Sequence, residues 1–530
     1  MNPFLTYEEK KSGATGTQDE KKKSLYEVLG RIWGAISFRR PILGEIMEKH
    51  GKKTLREYAQ DFLDVNPSPR LDDRKPELID EVRAMTEERL GKDMADRIAK
   101  QLSRRALVST ADHHSPLCHP FWINANIITG IPLFEEKEKD HDAIIVFSFA
   151  GVSMNNASGF PRGILFHGDD HGNGPIIRLP IFPDKQKMST VIAMRPFTQE
   201  DLQRAKHMID EKIKNKDVTE KRGKEVQDII DRYFYPDEVL SSPDYDTQVT
   251  KINHRFWADF FHDENGVKGD IPPLLYIEIE TLVTRLLLKH HMKESVSLIS
   301  RALFDASFAP RILQGFNNIS GAFSLEKKWG TYLFWGIDPH GHRVKLSYKD
   351  QRIASEDGAI SISLTPKDIE AALKEKKIFP GMFLCYLTVS LYYGMKCLGG
   401  FCQVHDLTMT KLAWMQLLKD CGDEEESLSL DRLQTKELGG DGMVLAYVRT
   451  SQGSLVPATG IDLLLEKTDM RFAKFAELSR HLTLNEAMQS LLPEMYTVLY
   501  SEEDRDPYLA SIKPEEIFHA GGVEEKLASL

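Results

Sequence analysis

The side chains best suited to chemistry stand close together in residues 112–119 (DHHSPLCH), which hold an acid, three histidines and a thiol. Imidazole and carboxylate groups ligate zinc, manganese and iron, and imidazole also transfers protons near neutral pH. Alternate residues of an extended segment share a face, so Asp112 and His114 are expected to point together, with His113 opposite. His119 follows five residues after His114 and could approach the same site. The stretch predicts a metal site, or an acid–base site if the histidines carry no metal.

A second concentration of polar groups lies at residues 160–174 (FPRGILFHGDDHGNG). Its glycines would let backbone N–H groups approach an anion, and Arg162 could bind a carboxylate or phosphate through two parallel hydrogen bonds. His167 and Asp170 add potential metal ligands, and His171 adds an acid–base group. The simpler interpretation is a hairpin whose Gly, Asp and Asn are turn residues. If the strands between the two loops return to one sheet, the loops would meet at one end of it.

Two weaker signals occur later in the chain. Residues 399–406 (GGFCQVHD) follow an apolar run, and Cys402 with His405 could form a nucleophile and its base if they touch. A buried thiol beside a helix-flanking histidine is the simpler interpretation. Glu278 and Glu280 interrupt an apolar run, where a buried acid must be paired or face a site.

The tripeptide Asp112-His113-His114, preceded by the apolar residues 106–110, is similar to the signature of the manganese-dependent DHH phosphoesterases. The family's second aspartate motif is not found upstream of Asp112, where the sequence is helical and charged. The resemblance is therefore confined to three residues, and no family is assigned on it.

Hydrophobic periodicity indicates which elements must position these groups. Helical spacing predicts a unit before the first histidine stretch, with Thr54 as an N-cap and a long helix over about 76–102. Short β-branched runs predict strands around that stretch, and a hairpin is expected near 331–348. The fold class is mixed α and β (α+β or α/β). The predicted division is a disordered tail at 1–24, a helical unit at 25–104, a β-rich centre at 105–196 with strands near 143–149, 163–167, 175–179 and 190–194, a helical region ending in the hairpin at 197–350, and a mostly helical region at 351–530.

Composition narrows the class of protein. Hydrophobic residues make up 41% and charged residues 28% of the 530, which is typical of a folded chain with several domains. A formal net charge of −11 argues against general nucleic-acid binding. Five irregularly spaced cysteines and no secretory signal favour a cytoplasmic location. The apolar run 378–395 approaches the length of a membrane span, but its prolines and glycines favour a buried helix.

These observations predict a metal-dependent enzyme, most simply a hydrolase acting on a small molecule that carries a carboxylate or phosphate. Its divalent zinc, manganese or iron ion would be held by some of Asp112, His114, His119, His167 and Asp170. The metal would polarise the substrate or activate water, while His113, His171 and Arg162 would act as acid–base and anion-binding groups. Two alternatives remain open: a metal-free transferase or lyase that uses the same side chains, and a non-catalytic protein that binds a small ligand or serves as a scaffold. The sequence predicts no membrane partner and leaves the oligomeric state open.

Overall fold

The structure is a computed structural model that describes residues 16–64, 69–135, 143–155, 163–169, 176–293, 297–440, 442–449, 455–512, 517 and 523–528. Within these ranges helix predominates over strand, at 54% against 14%, and the fold is mixed α and β as the sequence predicts. The strands are β1 Leu107–Ser109, β2 Ile144–Ser148, β3 Gly163–His167, β4 Ile176–Pro180, β5 Leu274–Glu278, β6 Phe323–Ser324, β7 Trp329–Gly330, β8 Phe334–Ile337, β9 Arg343–Lys345, β10 Ser347–Lys349, β11 Arg352–Ala354, β12 Ser361–Ser363, β13 Ile378–Pro380, β14 Lys396–Leu398, β15 Tyr447–Arg449 and β16 Leu455–Pro457.

Helices surround these strands. In chain order they are α1 Gly16–Arg39, α2 Pro41–His50, α3 Leu55–Gln60, α4 Pro69–Asp72, α5 Lys75–Leu90, α6 Lys92–Arg104, α7 Pro120–Glu135, α8 Gln199–Lys214, α9 Glu220–Tyr233, α10 Asp237–Leu240, α11 Tyr245–Phe260, α12 Ile279–Leu286, α13 Leu298–Phe304, α14 Phe308–Gly315, α15 Pro366–Lys374, α16 Met382–Tyr386, α17 Gln403–Asp420, α18 Glu424–Asp431, α19 Gly460–Leu465, α20 Phe472–Leu478, α21 Leu484–Gln489, α22 Leu492–Leu499, α23 Pro507–Ser511 and α24 Val523–Ala528.

The largest sheet is parallel and four-stranded, with the order β14-β1-β2-β5. Its residues alternate between two hydrophobic cores. Ile144 and Val146 of β2 belong to one core, and Ile145 and Phe147 belong to the other. This alternation follows from the two-residue period of a strand, and both faces are apolar because helices cover both. Helices α7 and α11 pack on the first face, and α5 and α12 on the second.

The sequence located most of these elements. The capping box of Thr54 and Glu57 starts α3, β2 to β4 lie where strands are predicted, and β8 pairs with β9 as the expected hairpin. Three details differ. The predicted long helix is two, since Gly91 at a φ of 87° ends α5. Residues 191–193 form a single 3-10 turn instead of a strand, and the centre also contains the buried helix α7.

Two further expectations concern apolar and terminal segments. The run 378–395 is buried as predicted, but it is not one helix: strand β13, the short α16 and a π-helical turn at Leu387–Tyr392 divide it. Across the described residues, no helix has the length and apolar character that crossing a membrane requires.

Helix α1 begins at Gly16, so part of the predicted disordered tail is helical. Residues 1–15 lie outside the described residues.

Candidate active site

A cavity of about 490 Å³ opens at the carboxyl ends of the parallel strands. Strand β1 lies between two partners. The next strand in the chain, β2, pairs with it on one side, and β14, which comes much later in the sequence, pairs with it on the other. In open α/β sheets, ligands bind in the crevice that forms where the strand order reverses in this way. The segments that follow all four strands line the cavity, and their lining residues are Thr110, Ala111, His113, Phe149, Gly151, Val152, Glu280, Gly400, Phe401, Cys402, Gln403 and Asp406.

Residues between 321 and 386 also line the cavity, and four of them form an aromatic wall. Arg343 lies at the mouth of the cavity and is exposed. Its Nη1 donates to the Gly151 carbonyl (3.1 Å), and its guanidinium lies 4.8 Å from the centre of the Trp335 ring. The aromatic wall can pack against a planar or apolar body. Its side chains are Trp329, Trp335, Phe379 and Tyr386.

Asp406 is the more isolated of the two carboxyl groups in the cavity. It lies in the first turn of α17 and is 5% exposed. Its Oδ2 accepts a hydrogen bond from the Ser320 hydroxyl (3.1 Å), whereas its Oδ1 has no hydrogen-bond partner among the described residues. Burial raises the pKa of Asp406 from 3.8 to about 6, although Arg40 and Ser320 favour the ionised form.

Glu280 has a different environment in the same cavity. Its two carboxyl oxygens accept hydrogen bonds from the backbone N–H groups of Ala150 (2.8 Å) and Gly151 (2.7 Å), so it fixes the turn after β2. Burial raises the pKa of Glu280 to about 7, and these N–H groups act in the opposite direction. A side chain at Gly151 would collide with this arrangement, because a Cβ there would lie 2.8 Å from Glu280 Oε1 and from the Phe379 ring.

The first histidine stretch continues alongside β2 after β1 ends. His114 N–H donates to the Phe149 carbonyl, and Phe149 N–H donates to the Asp112 carbonyl (both 2.8 Å). His113 lines the cavity, and its Nδ1 has no partner within the described part of the chain. Burial lowers the pKa of His113 to about 4. Its predicted acid–base role stays a prediction, now with a defined location.

His114 points away from the cavity into a buried group with Asp246 and Glu278. One ligand atom from each of the three residues lies within 4.8 Å of the other two. Asp246 stands in the first turn of α11, and Glu278 ends β5. Burial lowers the pKa of His114 to about 4. Burial, followed by the charge of Asp246, raises the pKa of Glu278 well above its usual value.

The other predicted metal ligands do not belong to that group. Asp112 is near His114, since both lie beside Tyr276, and its Oδ2 accepts a hydrogen bond from Asn126 Nδ2 (2.9 Å). His119 precedes α7, and its Nδ1 accepts from the Phe121 N–H (3.2 Å), which makes it part of that helix start.

His167 ends β3, which pairs only with β4 within the described residues, and its Nδ1 bonds to Asp462 Oδ2 at 2.6 Å. The described parts of the two histidine loops thus belong to different sheets. Arg162, Asp170 and His171 lie outside the described residues.

Of the residues that line or underlie the cavity, His113 and His114 are predicted site residues, whereas the others carry weaker sequence signals. Glu278 and Glu280 carried a signal, as acids in an apolar run, and residues 399–406 were recognised as a polar cluster. Asp246 gives no signal in the sequence, because acids are common in the first turn of a helix.

A comparison with protein-family models finds no match, and a comparison with curated proteins finds no significant relative.

Proposed function

We propose that this protein is an enzyme that hydrolyses a small anionic molecule in the cavity at the carboxyl ends of the sheet, with Asp406 as the general base. The observation that carries the proposal is the environment of Asp406, a buried carboxyl group on the cavity wall whose Oδ1 has no hydrogen-bond partner among the described residues. Such a group costs stability. Perturbed carboxyl groups in clefts are typical of catalytic sites.

The proposed reaction uses one proton and returns it. With a pKa of about 6, Asp406 is mostly ionised at neutral pH and can accept a proton. It removes a proton from a water molecule while the water oxygen attacks a carbonyl or phosphoryl centre. The bond between that centre and the leaving oxygen then breaks, and Asp406 gives the proton to this oxygen. The carboxylate is restored, and water has been added across the bond.

Three other side chains would position the substrate. The guanidinium of Arg343 at the mouth can form two parallel hydrogen bonds with a carboxylate or phosphate. His113 can hydrogen-bond the reacting group through its Nδ1, which has no partner among the described residues. Glu280 holds the turn after β2 in place. The proposed steps use the cavity wall and no metal ion, because His114, which groups with two carboxyl groups, does not line the cavity.

The experiment is a hydrolysis screen with chromogenic carboxylic esters and phosphate esters, each bearing a second anionic group. Incorporation of ¹⁸O from labelled water distinguishes hydrolysis from a transferase or lyase reaction. Replacing Asp406 with Asn should lower kcat by about 10²- to 10⁴-fold, the usual contribution of a general base. Asp420→Asn is the matched control, since the same change at the exposed end of the same helix should leave kcat unaltered.

Two results would contradict the proposal. One is an Asp406→Asn variant that turns over a substrate as fast as the parent. The other is a parent that neither hydrolyses any member of the panel nor binds its anionic products.

A further inference from the structure

We infer that His114, Asp246 and Glu278 form a structural binding site for a divalent transition-metal ion, most suitably zinc, beneath the floor of the cavity. The inference stands apart from the proposed hydrolysis, since none of the three residues lines the cavity. All three side chains are buried, with exposures of 0%, 5% and 4% in that order. They come from three separate elements: the segment after β1, the start of α11 and the end of β5.

The tautomer of His114 leaves a bare nitrogen in the group. The Ser148 hydroxyl donates its single proton to the Ile277 carbonyl (3.0 Å). It can therefore only accept from His114 Nδ1, which lies 2.7 Å away and must carry the ring proton. In the neutral imidazole, Nε2 is then a lone-pair acceptor. This atom is buried and has no hydrogen-bond partner among the described residues.

The bare nitrogen faces another acceptor. His114 Nε2 lies 3.4 Å from Asp246 Oδ1, so two lone pairs approach each other with no proton between them. That separation is close to the edge of a tetrahedral zinc site, about 3.3 Å for ligands about 2.0–2.1 Å from the metal. A cation between the two atoms would turn their repulsion into coordination.

Each member of the group is also held by a hydrogen bond with a neighbouring side chain. Arg89 bonds to Asp246 Oδ2 through its Nε (3.2 Å) and its Nη2. The Thr281 hydroxyl donates to Glu278 Oε2 (2.7 Å), and Ser148 Oγ accepts a hydrogen bond from the Nδ1–H of His114. Metal ligands are typically oriented by such outer partners, which fix the tautomer and the direction of the ligating atom.

Charge favours a cation at the same point. Burial raises the pKa values of Glu278 and Glu280, and the negative charge of Asp246 beside them adds to both rises. Arg89 contributes one positive charge through its ion pair with Asp246. Buried charge of one sign is costly unless it is neutralised. A dication would neutralise the negative charge that remains after Arg89 has paired with Asp246. Mixed imidazole and carboxylate ligands suit zinc, and also manganese and iron(II).

A shared proton is the competing explanation, because a protonated Glu278 could donate to one of its neighbours. The test separates the two with the full-length chain, stripped with a chelator and then titrated with zinc chloride. After desalting, the parent should hold close to one zinc per chain, and its Tm should rise with zinc and fall again with chelator. Cobalt(II) in place of zinc should give visible absorption bands that are absent from a variant lacking one of the three ligands.

The variants Glu278→Gln and His114→Ala should lose this zinc and respond no further to the chelator. The matched control is Glu280→Gln, which changes a buried carboxyl group two residues along the chain and should keep the metal. If only a proton joins the group, the parent retains no metal, and Glu278→Gln, which mimics the protonated acid, is as stable as the parent. That result, or zinc retained in both ligand variants, would overturn the inference. Circular dichroism shows whether each variant folds. If His114→Ala does not fold, the metal content of Glu278→Gln decides between the two explanations.

Discussion

The Asp406→Asn variant should be more stable than the parent at neutral pH and should lose part of this advantage in acid. In the unfolded chain the Asp406 carboxyl group titrates near its ordinary pKa of 3.8, and in the folded chain near about 6. The folded state thus binds the proton more tightly, so unfolding releases a proton between these two values, and stability falls as pH rises through them. Below pH 3.8 both states are protonated and the penalty vanishes.

The magnitude follows from the two pKa values of Asp406. A rise from 3.8 to about 6 corresponds to about 3 kcal/mol of lost stability, fully developed above pH 6. About two-thirds of it should develop between pH 4.5 and pH 7.5. An amide at this position has no charge to desolvate at any pH. If the chain unfolds as one unit, 3 kcal/mol corresponds to a change in Tm of about 3 °C, and to more if smaller units unfold separately.

The assay measures the difference in Tm between Asp406→Asn and the parent by calorimetry at several pH values from 4.5 to 7.5. Taking the difference removes the titration of every other group that the two proteins share. The expected curve rises with pH and levels off above pH 6, while the difference for the control Asp420→Asn stays flat. A flat or falling curve for Asp406→Asn would refute the raised pKa of this carboxyl group and remove the main support for its proposed catalytic role.

Two further changes test the substrate contact and the core. Arg343→Ala should weaken binding of an anionic product by about 10- to 100-fold, measured by titration calorimetry, because a hydrogen bond to a charged group contributes about 1.5–3 kcal/mol; unchanged affinity would remove Arg343 from the site. Asn124→Ala should destabilise the fold by about 2–4 kcal/mol in chemical denaturation, because the buried N–H groups of Leu445 and Ala446 lose their acceptor (2.6 and 2.8 Å). Thr129→Ala in the same helix, which removes only a hydroxyl bonded within that helix, should cost less, and equal losses would contradict the assignment.

Local pattern alone determined many of the elements. The β-branched runs at 143–149 and 163–167 form strands because an apolar run with little helical periodicity can be buried on both faces of a sheet or in a hairpin. Thr54 caps its helix because its side chain lies three residues before a glutamate. The apolar run 378–395 is buried as expected, yet its glycines and proline divide it into strand and short helix, since these residues interrupt a regular helix.

The composition of the cavity was decided by the tertiary structure. Thr110, Glu280 and Asp406 meet only because β14, β1, β2 and β5 lie in that order with their carboxyl ends on one side. Strand order depends on pairing between segments far apart in the chain, which local hydrophobic pattern does not encode. The same holds for the residues grouped with His114. This histidine stands out in the sequence because an acid and two other histidines lie close to it, whereas Asp246 and Glu278 come from α11 and β5.

The three histidines and one acid in residues 112–119 lie at the edge of the sheet where the cavity opens, because chemistry-bearing side chains often follow the ends of strands. It could not assign their roles. Adjacent residues of an extended segment point to opposite sides, so His113 lines the cavity while His114 is buried among carboxyl groups beneath it. Sequence alone determined that such a segment exists and follows a strand. Only packing against α11 and β5 decided which imidazole faces the cavity and which one faces Asp246 and Glu278.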